Sequence, residues 1–205
     1  KNNFFMNNPI TIAIDAMGGD DSPNKVIEGV SFHSKLSKNV NYKIFGNINL
    51  IKPLIKKYNI PNERFSLKHT EKTVEGEDSA LSAAKKGKDT SLWLAVESLK
   101  NSETDAIVSA GNTGALMAIS KLQLRMINGV TRPAIAGFIP TLKGLSCMLD
   151  LGANIEVDER NLVQFGIMGA SFCSAITGKN NATVGILNVG EEDQKGFDYL
   201  RRAGS

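Results

Sequence analysis

Short apolar runs rich in β-branched residues alternate along the chain with longer stretches in which apolar residues recur every three or four positions. This alternation predicts repeated β-α-β units and an α/β fold with a mainly parallel sheet. The predicted strands cover residues 10–14, 42–45, 65–68, 106–109, 134–139, 147–151 and 183–189. The predicted helices cover residues 25–36, 50–58, 92–100, 113–126 and 159–176. We therefore expect one sizeable sheet of seven strands.

The segment 70–91 fits this pattern least well, because it is polar, punctuated by glycine and rich in lysine. We expect a loop or short helix at the surface, where functional residues are often found. No linker rich in proline, glycine or serine divides the chain, and no internal repeat is present. Residues 1–205 are therefore expected to form a single domain.

The composition restricts the class of protein. With 205 residues, 41% hydrophobic and 22% charged, the chain is typical of globular proteins and unlike disordered or fibrous ones. The net charge of +3 gives no support for nucleic-acid binding, and no apolar stretch approaches the roughly 18 residues of a membrane span. Neither of the two cysteines belongs to a C-x-x-C pair, which indicates free thiols, a cytoplasmic location and no zinc site.

Candidate chemistry lies at the predicted strand ends, since ligands of a parallel sheet bind beyond the carboxyl ends of its strands. Small, polar and glycine residues follow four of the strands, at 15–20, 109–115, 150–154 and 188–196. The chain has only two histidines and no G-x-S-x-G sequence, which argues against a Ser-His-Asp hydrolase.

The segment 109–115 is the most informative of the four. A strand, a glycine turn and a helix would leave the backbone N–H groups of Asn112, Thr113 and Gly114 at the positive helix end, where an anion such as phosphate fits. A structural turn with a threonine cap explains the same residues. The spacing matches neither the dinucleotide nor the Walker fingerprint.

The other candidates also allow two interpretations. Asp15 is a metal ligand, a substrate-orienting group or part of a glycine turn, although its spacing matches no Mg²⁺ or Ca²⁺ loop. Asp150 and Asn154 either position a substrate or stabilise a turn at Gly152. The lysines of 85–88 either attract an anion or form a solvated surface.

Five segments in order are more specific together than any one alone. They are IAIDAMGGD (12–20), VSAGNTGALM (108–117), LDLGAN (149–154), VQFGIMG (163–169) and GILNVGEE (185–192). Over residues 10–196 the chain resembles the bacterial acyl-[acyl-carrier-protein]:phosphate acyltransferases of phospholipid synthesis.

The resemblance implies a three-layer α/β fold of the isocitrate/isopropylmalate-dehydrogenase-like, or phosphotransacetylase-like, type. It also implies a cytoplasmic homodimer that moves a fatty acyl group from acyl carrier protein to inorganic phosphate, without a metal or organic cofactor. The acyl phosphate product would feed a membrane acyltransferase, which allows a peripheral membrane association. Phosphate is already a competent nucleophile at neutral pH, so such a site needs little help from a histidine base.

Residue roles follow from combining the resemblance with the strand-end positions. The expected phosphate-binding residues are Ser109, Asn112, Thr113, Gly114, Lys86 and Lys88. The expected catalytic residues, which orient the site, are Asp15, Asp150 and Asn154. Lys86 and Lys88 would attract either phosphate or the acidic carrier protein.

The chain departs from the family pattern in length and in one loop. Members are longer and carry a D-G-F-x-G-N segment and a later glycine-rich segment, so we expect this chain to be the N-terminal portion of a longer protein. Members have arginine where Ser82 stands and methionine where Leu92 stands. Two other functions remain open, a phosphotransacetylase-like enzyme acting on acyl-CoA and a non-catalytic fragment.

Overall fold

The computed structural model describes residues 9–178, 181–190, 192 and 195–204, and for Lys86 it describes the backbone alone. Within the chain two compact units are distinguished, Lys1–Arg125 and Met126–Ser205. The organisation of the whole chain as a single domain stays a prediction.

The first unit contains a four-stranded parallel sheet in the order β3-β2-β1-β4. Its strands are β1 (Ile10–Asp15), β2 (Val40–Gly46), β3 (Phe65–His69) and β4 (Ala106–Ser109). Each begins and ends within two residues of the range predicted from the sequence. The parallel sheet and its flanking helices confirm the α/β class.

Helices cover both faces of this sheet. They are α1 (Asn24–Leu36), α2 (Ile48–Tyr58), α3 (Ala80–Lys86), α4 (Ser91–Lys100) and α5 (Thr113–Leu124). Because successive strand residues point to opposite faces, Ile14 and Ile44 pack with α1 and α2, whereas Ala13 and Phe45 pack against Ala95 of α4. The result is three layers, helix, sheet and helix.

The hydrophobic core holds the sheet between its helices, and strand pairing aligns the strand ends. Ile27 of α1, Ile44 of β2 and Ile51 of α2 are fully buried, and each contributes about 1.5–3 kcal/mol through the burial of its side chain. Since β1 and β4 are neighbours, their last residues, Asp15 and Ser109, are register partners at one edge of the sheet. The pairing of β1 with β4 therefore brings two predicted site segments together.

The second unit is built on an antiparallel pair of strands. Its elements are β5 (Ala136–Thr141), β6 (Gly144–Leu149), α6 (Glu159–Thr177) and α7 (Asp198–Gly204). Helix α6 is capped by Asp158, which forms a capping box with Asn161, and the helix packs on β6. Both cysteines are free.

The prediction of a single sheet of seven strands was wrong, because the described strands form one sheet of four and one of two. Only two residues separate β5 from β6, so the two strands form a hairpin, since a parallel pair needs a crossover of a dozen or more residues. The seventh predicted strand, 183–189, is irregular and pairs with no other described strand. No helix in the described part of the chain is long and apolar enough to cross a membrane.

Candidate functional site

A buried carboxylate joins the ends of β1 and β4. The side chain of Asp15 is only 2% exposed, and its Oδ2 accepts a hydrogen bond from the Ser109 hydroxyl at 2.7 Å. Its Oδ1 accepts one from the hydroxyl of Ser91, at the start of α4, at 2.6 Å. Burying a carboxylate is costly unless its oxygens are hydrogen-bonded, and these two hydroxyls supply that compensation.

The turns that follow β1 and β4 pack against each other through glycines. A Cβ atom on Gly18 would lie 2.6 Å from Asp15 Oδ2 and 3.0 Å from the backbone N and Cα atoms of Gly111. Gly19 has a φ of +96°, and a Cβ atom there would lie 2.5 Å from the Ala110 carbonyl oxygen. The close approach of the two turns therefore depends on the absence of side chains.

Asn112 caps α5 and holds a second loop. Its Oδ1 accepts a hydrogen bond from the Ala115 N–H at 2.9 Å, which satisfies one donor of the first helical turn. Its Nδ2 donates to the carbonyl oxygens of Gly76 and Asp78 at 2.8 and 2.9 Å. The side chain thus ties residues 76–78 to the start of α5.

The first backbone N–H groups of α5 remain available for a ligand. Within the described residues, no acceptor bonds to the N–H of Thr113 or Gly114, as is usual for the first turn of a helix. The residues that contain them are exposed. Together with the positive helix end, these two donors form an arrangement suited to an anion.

A cavity of about 670 Å³ lies beside these donors. It is lined by Met17, Gly19, Asp20, Thr73, Val74, Glu75, Gly76, Ala110, Gly111, Asn112, Thr113 and Gly114. Lys88 is exposed and follows α3, and it is not among the lining residues. Of the predicted phosphate-binding residues, Asn112, Thr113 and Gly114 therefore line one cavity.

Asp150 and Asn154 lie in the second unit and bond to each other. Asp150 Oδ2 accepts hydrogen bonds from the backbone and side-chain N–H groups of Asn154, at 2.8 and 2.9 Å. Its Oδ1 accepts from the backbone N–H of Ile135 at 2.8 Å and of Ala153 at 3.2 Å. The Asn154 amide also donates to the Pro133 carbonyl. The pair thus fastens residues 133–135 to residues 150–154.

These hydrogen bonds determine the direction in which the pKa of Asp150 shifts. Burial is the largest influence and acts to raise its pKa, but the hydrogen bonds from Ile135, Asn154 and Ala153 together outweigh burial and lower the pKa below its ordinary value. Both Asp150 and Asn154 line a mainly apolar cavity of about 620 Å³ between β6, α6 and residues 182–187.

Replacing Asp150 by asparagine is expected to lower the free energy of unfolding by about 1–3 kcal/mol at neutral pH, because an amide cannot accept all four N–H groups. Because the pKa of Asp150 is lower in the folded state, its ionised form stabilises the fold at pH values above the unfolded-state pKa. This contribution is lost as the pH falls through the folded-state pKa. Urea denaturation should therefore show the difference at pH 7 and its decline on acidification below the ordinary aspartate range. The exposed Glu156, changed to glutamine, is the control. An equal loss at every pH would contradict the prediction.

Two features of the site were missed by the sequence analysis. Ser91 lies 76 positions from Asp15 in the chain, and no motif marks it. Residues 73–76 line the cavity, although the sequence indicated only that the segment around them is a surface loop. Among the described residues no group of three or more histidine, cysteine or acidic side chains could hold a metal ion.

The parallel sheet between helix layers defines the class, an α/β protein with a phosphotransacetylase-like fold. A phosphotransacetylase from Streptococcus pyogenes superposes with a TM-score of 0.58 at 14% identity, over 82% of this chain and 54% of the other. The EutD phosphotransacetylase from Staphylococcus aureus superposes with a TM-score of 0.55 at 16% identity, over 80% and 53%. At these identities the likeness shows the fold alone.

The chain belongs to the family described as "Fatty acid synthesis protein", which matches residues 10–205. A protein named phosphate acyltransferase from Pelagibacter ubique is 45% identical over 196 residues, covering 96% of this chain and 58% of the relative. One of the same name from Paramagnetospirillum magneticum is 45% identical over 198 residues, covering 97% and 56%. The chain thus spans just over half the length of these relatives.

Proposed function

We propose that this chain supplies the phosphate-binding part of a phosphate acyltransferase, which transfers a fatty acyl group from acyl carrier protein to inorganic phosphate. The observation that carries the proposal is the N–H pair of Thr113 and Gly114, which has no acceptor among the described residues and faces a cavity at the ends of β1 and β4. Family membership and relatives named phosphate acyltransferase support the same reaction.

The reaction joins a phosphate oxygen to the thioester carbonyl carbon and breaks the carbon–sulfur bond. The thiol of the carrier leaves with the proton that monohydrogen phosphate brings, so the products are acyl phosphate and free thiol. Because the dianion is itself nucleophilic, the protein contributes mainly by holding phosphate close to the carbonyl and by stabilising the developing oxyanion. Backbone N–H groups at a helix end are suited to that task.

Individual roles follow from the contacts. Thr113 and Gly114 bind phosphate through their backbone N–H groups, and Asn112 shapes the cavity through its hydrogen bonds to 76–78. Ser109 is bonded to Asp15, so both orient the turn. The proposed orienting residues of the second unit are Asp150 and Asn154. Lys86 and Lys88 are proposed to attract phosphate or the acidic carrier protein.

The direct test is a phosphate titration of the 205-residue chain followed by amide chemical shifts. Because the helix end offers unpaired donors, we expect the largest shifts at Thr113 and Gly114. Crystals soaked in phosphate should show the anion at the same N–H groups. Binding confined to the lysines of 85–88, with no change at the turn, would contradict the proposal.

Catalysis can be measured in a chimera in which this chain replaces its matching 196 residues of the Pelagibacter ubique relative. In that chimera, Thr113→Val removes a hydroxyl beside the two N–H donors, and Asn112→Ala releases residues 76–78 of the cavity. Each change should lower kcat/KM by roughly tenfold or more, since a lost donor or a misplaced binding group costs on the order of 10²-fold. The assay is acyl phosphate formation from an acyl-[acyl-carrier-protein].

The matched control is Asn47→Ala. Asn47 caps α2 through the Asn49 N–H but does not line the cavity, so its loss weakens a helix cap alone. We expect Asn47→Ala to leave kcat/KM within about twofold. Unchanged kinetics in both Thr113→Val and Asn112→Ala would remove the turn from the mechanism.

A second candidate is transfer from acyl-CoA rather than from a carrier protein. It is favoured by the fold, because both superposed structures are named phosphotransacetylases. Offering the chimera the same acyl group on acyl carrier protein and on CoA distinguishes the two donors. For the acyl-carrier-protein reaction we also propose a cytoplasmic homodimer that passes acyl phosphate to a membrane acyltransferase.

A further inference from the structure

We infer that Ser91 is a positioning residue that aligns two walls of the phosphate cavity, an inference that rests on the proposed function. Ser91 is 1% exposed and has no contact with the cavity itself. Its two hydrogen bonds run in different directions, one from its hydroxyl and one from its backbone N–H. Each bond holds one wall of the cavity in place, either the turn at the start of α5 (110–114) or residues 73–76.

The hydroxyl fixes the wall that contains the α5 turn. It donates to Asp15 Oδ1, while Asp15 Oδ2 accepts from Ser109, whose Oγ in turn accepts from the Gly111 N–H at 3.2 Å. The Met17 N–H also bonds to Asp15 Oδ1, at 3.3 Å. Of the two hydrogen bonds to Asp15 Oδ1, the one from the Ser91 hydroxyl is therefore the shorter.

The backbone N–H fixes the opposite wall. It donates to the carbonyl oxygen of Lys72 at 3.1 Å, immediately before the cavity-lining residues 73–76. Thr70 supports this contact, since its Oγ1 donates to the Asp89 carbonyl and accepts from the Lys72 N–H. Ser91 thus links residues 70–76 to the buried carboxylate beneath the α5 turn.

Removing the Ser91 hydroxyl leaves Asp15 Oδ1 buried with only the long Met17 bond. A buried carboxylate that loses a donor moves toward other donors or water, and the groups that it holds move with it. We expect Ser91→Ala to displace the Ser109–Gly111 turn and to weaken phosphate binding by about tenfold. Ser91→Thr keeps a hydroxyl and should restore most of the affinity.

The experiment measures phosphate affinity by amide titration, and hydrogen exchange by mass spectrometry, in the 205-residue chain and its variants. The matched control is Ser98→Ala, since Ser98 lies in the same helix, is 3% exposed and donates to the Ala95 carbonyl away from the cavity. Ser91→Ala should raise the phosphate Kd and speed exchange within 109–114. Ser98→Ala should lower the melting temperature without changing either quantity.

The experiment distinguishes failure of the proposed function from failure of the positioning role of Ser91. Absence of phosphate shifts at 109–114 in the unchanged chain overturns the proposed function, and this inference with it. Binding in the unchanged chain with equal affinity and equal exchange in Ser91→Ala overturns the positioning role alone. Equal loss of affinity in Ser98→Ala also overturns it, because that loss would follow from reduced stability of α4.

Discussion

Replacing Gly18 by alanine is expected to abolish phosphate binding at the strand ends. The new methyl group would lie 2.6 Å from Asp15 Oδ2 and 3.0 Å from backbone atoms of Gly111, so the two turns must separate. Backbone cannot yield as a flexible side chain can, and overpacking of this kind costs typically 1–3 kcal/mol. Separation of the turns also breaks the alignment of Asp15 with Ser109.

The measurements are phosphate titration of the chain and kcat/KM of the chimera, for which we expect a loss of at least 10²-fold. Gly29→Ala is the control, because Gly29 lies within α1 and a Cβ atom there meets nothing within 4 Å. That change should stabilise the helix by roughly 0.5–1 kcal/mol and leave binding intact. Normal phosphate affinity in Gly18→Ala would show that the contact between the turns is dispensable.

The parts of the fold that were predictable are those that depend on local sequence. The strands of the first unit follow from short apolar runs bounded by polar residues, and the N–H donors of Thr113 and Gly114 follow from a strand, turn and helix in succession. The order β3-β2-β1-β4 is a pairing between distant segments, so no local pattern contains it. The contact of Ser91 with Asp15 likewise joins distant segments, so no local pattern predicts it.

The second unit shows how a small error in strand boundaries changes a topology. The predicted strands 134–139 and 147–151 leave a gap of seven residues, whereas β5 and β6 are separated only by Leu142 and Lys143. Strand β5 extends through Pro140, which an edge strand tolerates. The run 183–189 has strand-forming residues, but none of the described strands pairs with it, and β propensity depends on such pairing.

The other large expected effect concerns the 205-residue chain by itself, which we expect to form no detectable acyl phosphate. A ligand crevice in an open parallel sheet is assembled from several strand ends. In this chain two strand ends meet, those of β1 and β4. The chain matches only 56–58% of the length of relatives named phosphate acyltransferase. The phosphate cavity can therefore exist without the groups that present the thioester.

The measurement compares the chain with the chimera that carries the unmatched remainder of the Pelagibacter ubique relative, using an acyl-[acyl-carrier-protein] and phosphate. We expect both proteins to bind phosphate at 109–114, and only the chimera to release acyl phosphate and free thiol. Binding without turnover would separate the role of the α5 turn from that of the thioester site, because the two functions would then reside in different parts of the enzyme. Comparable turnover by the chain alone would instead show that residues 1–205 suffice for the reaction.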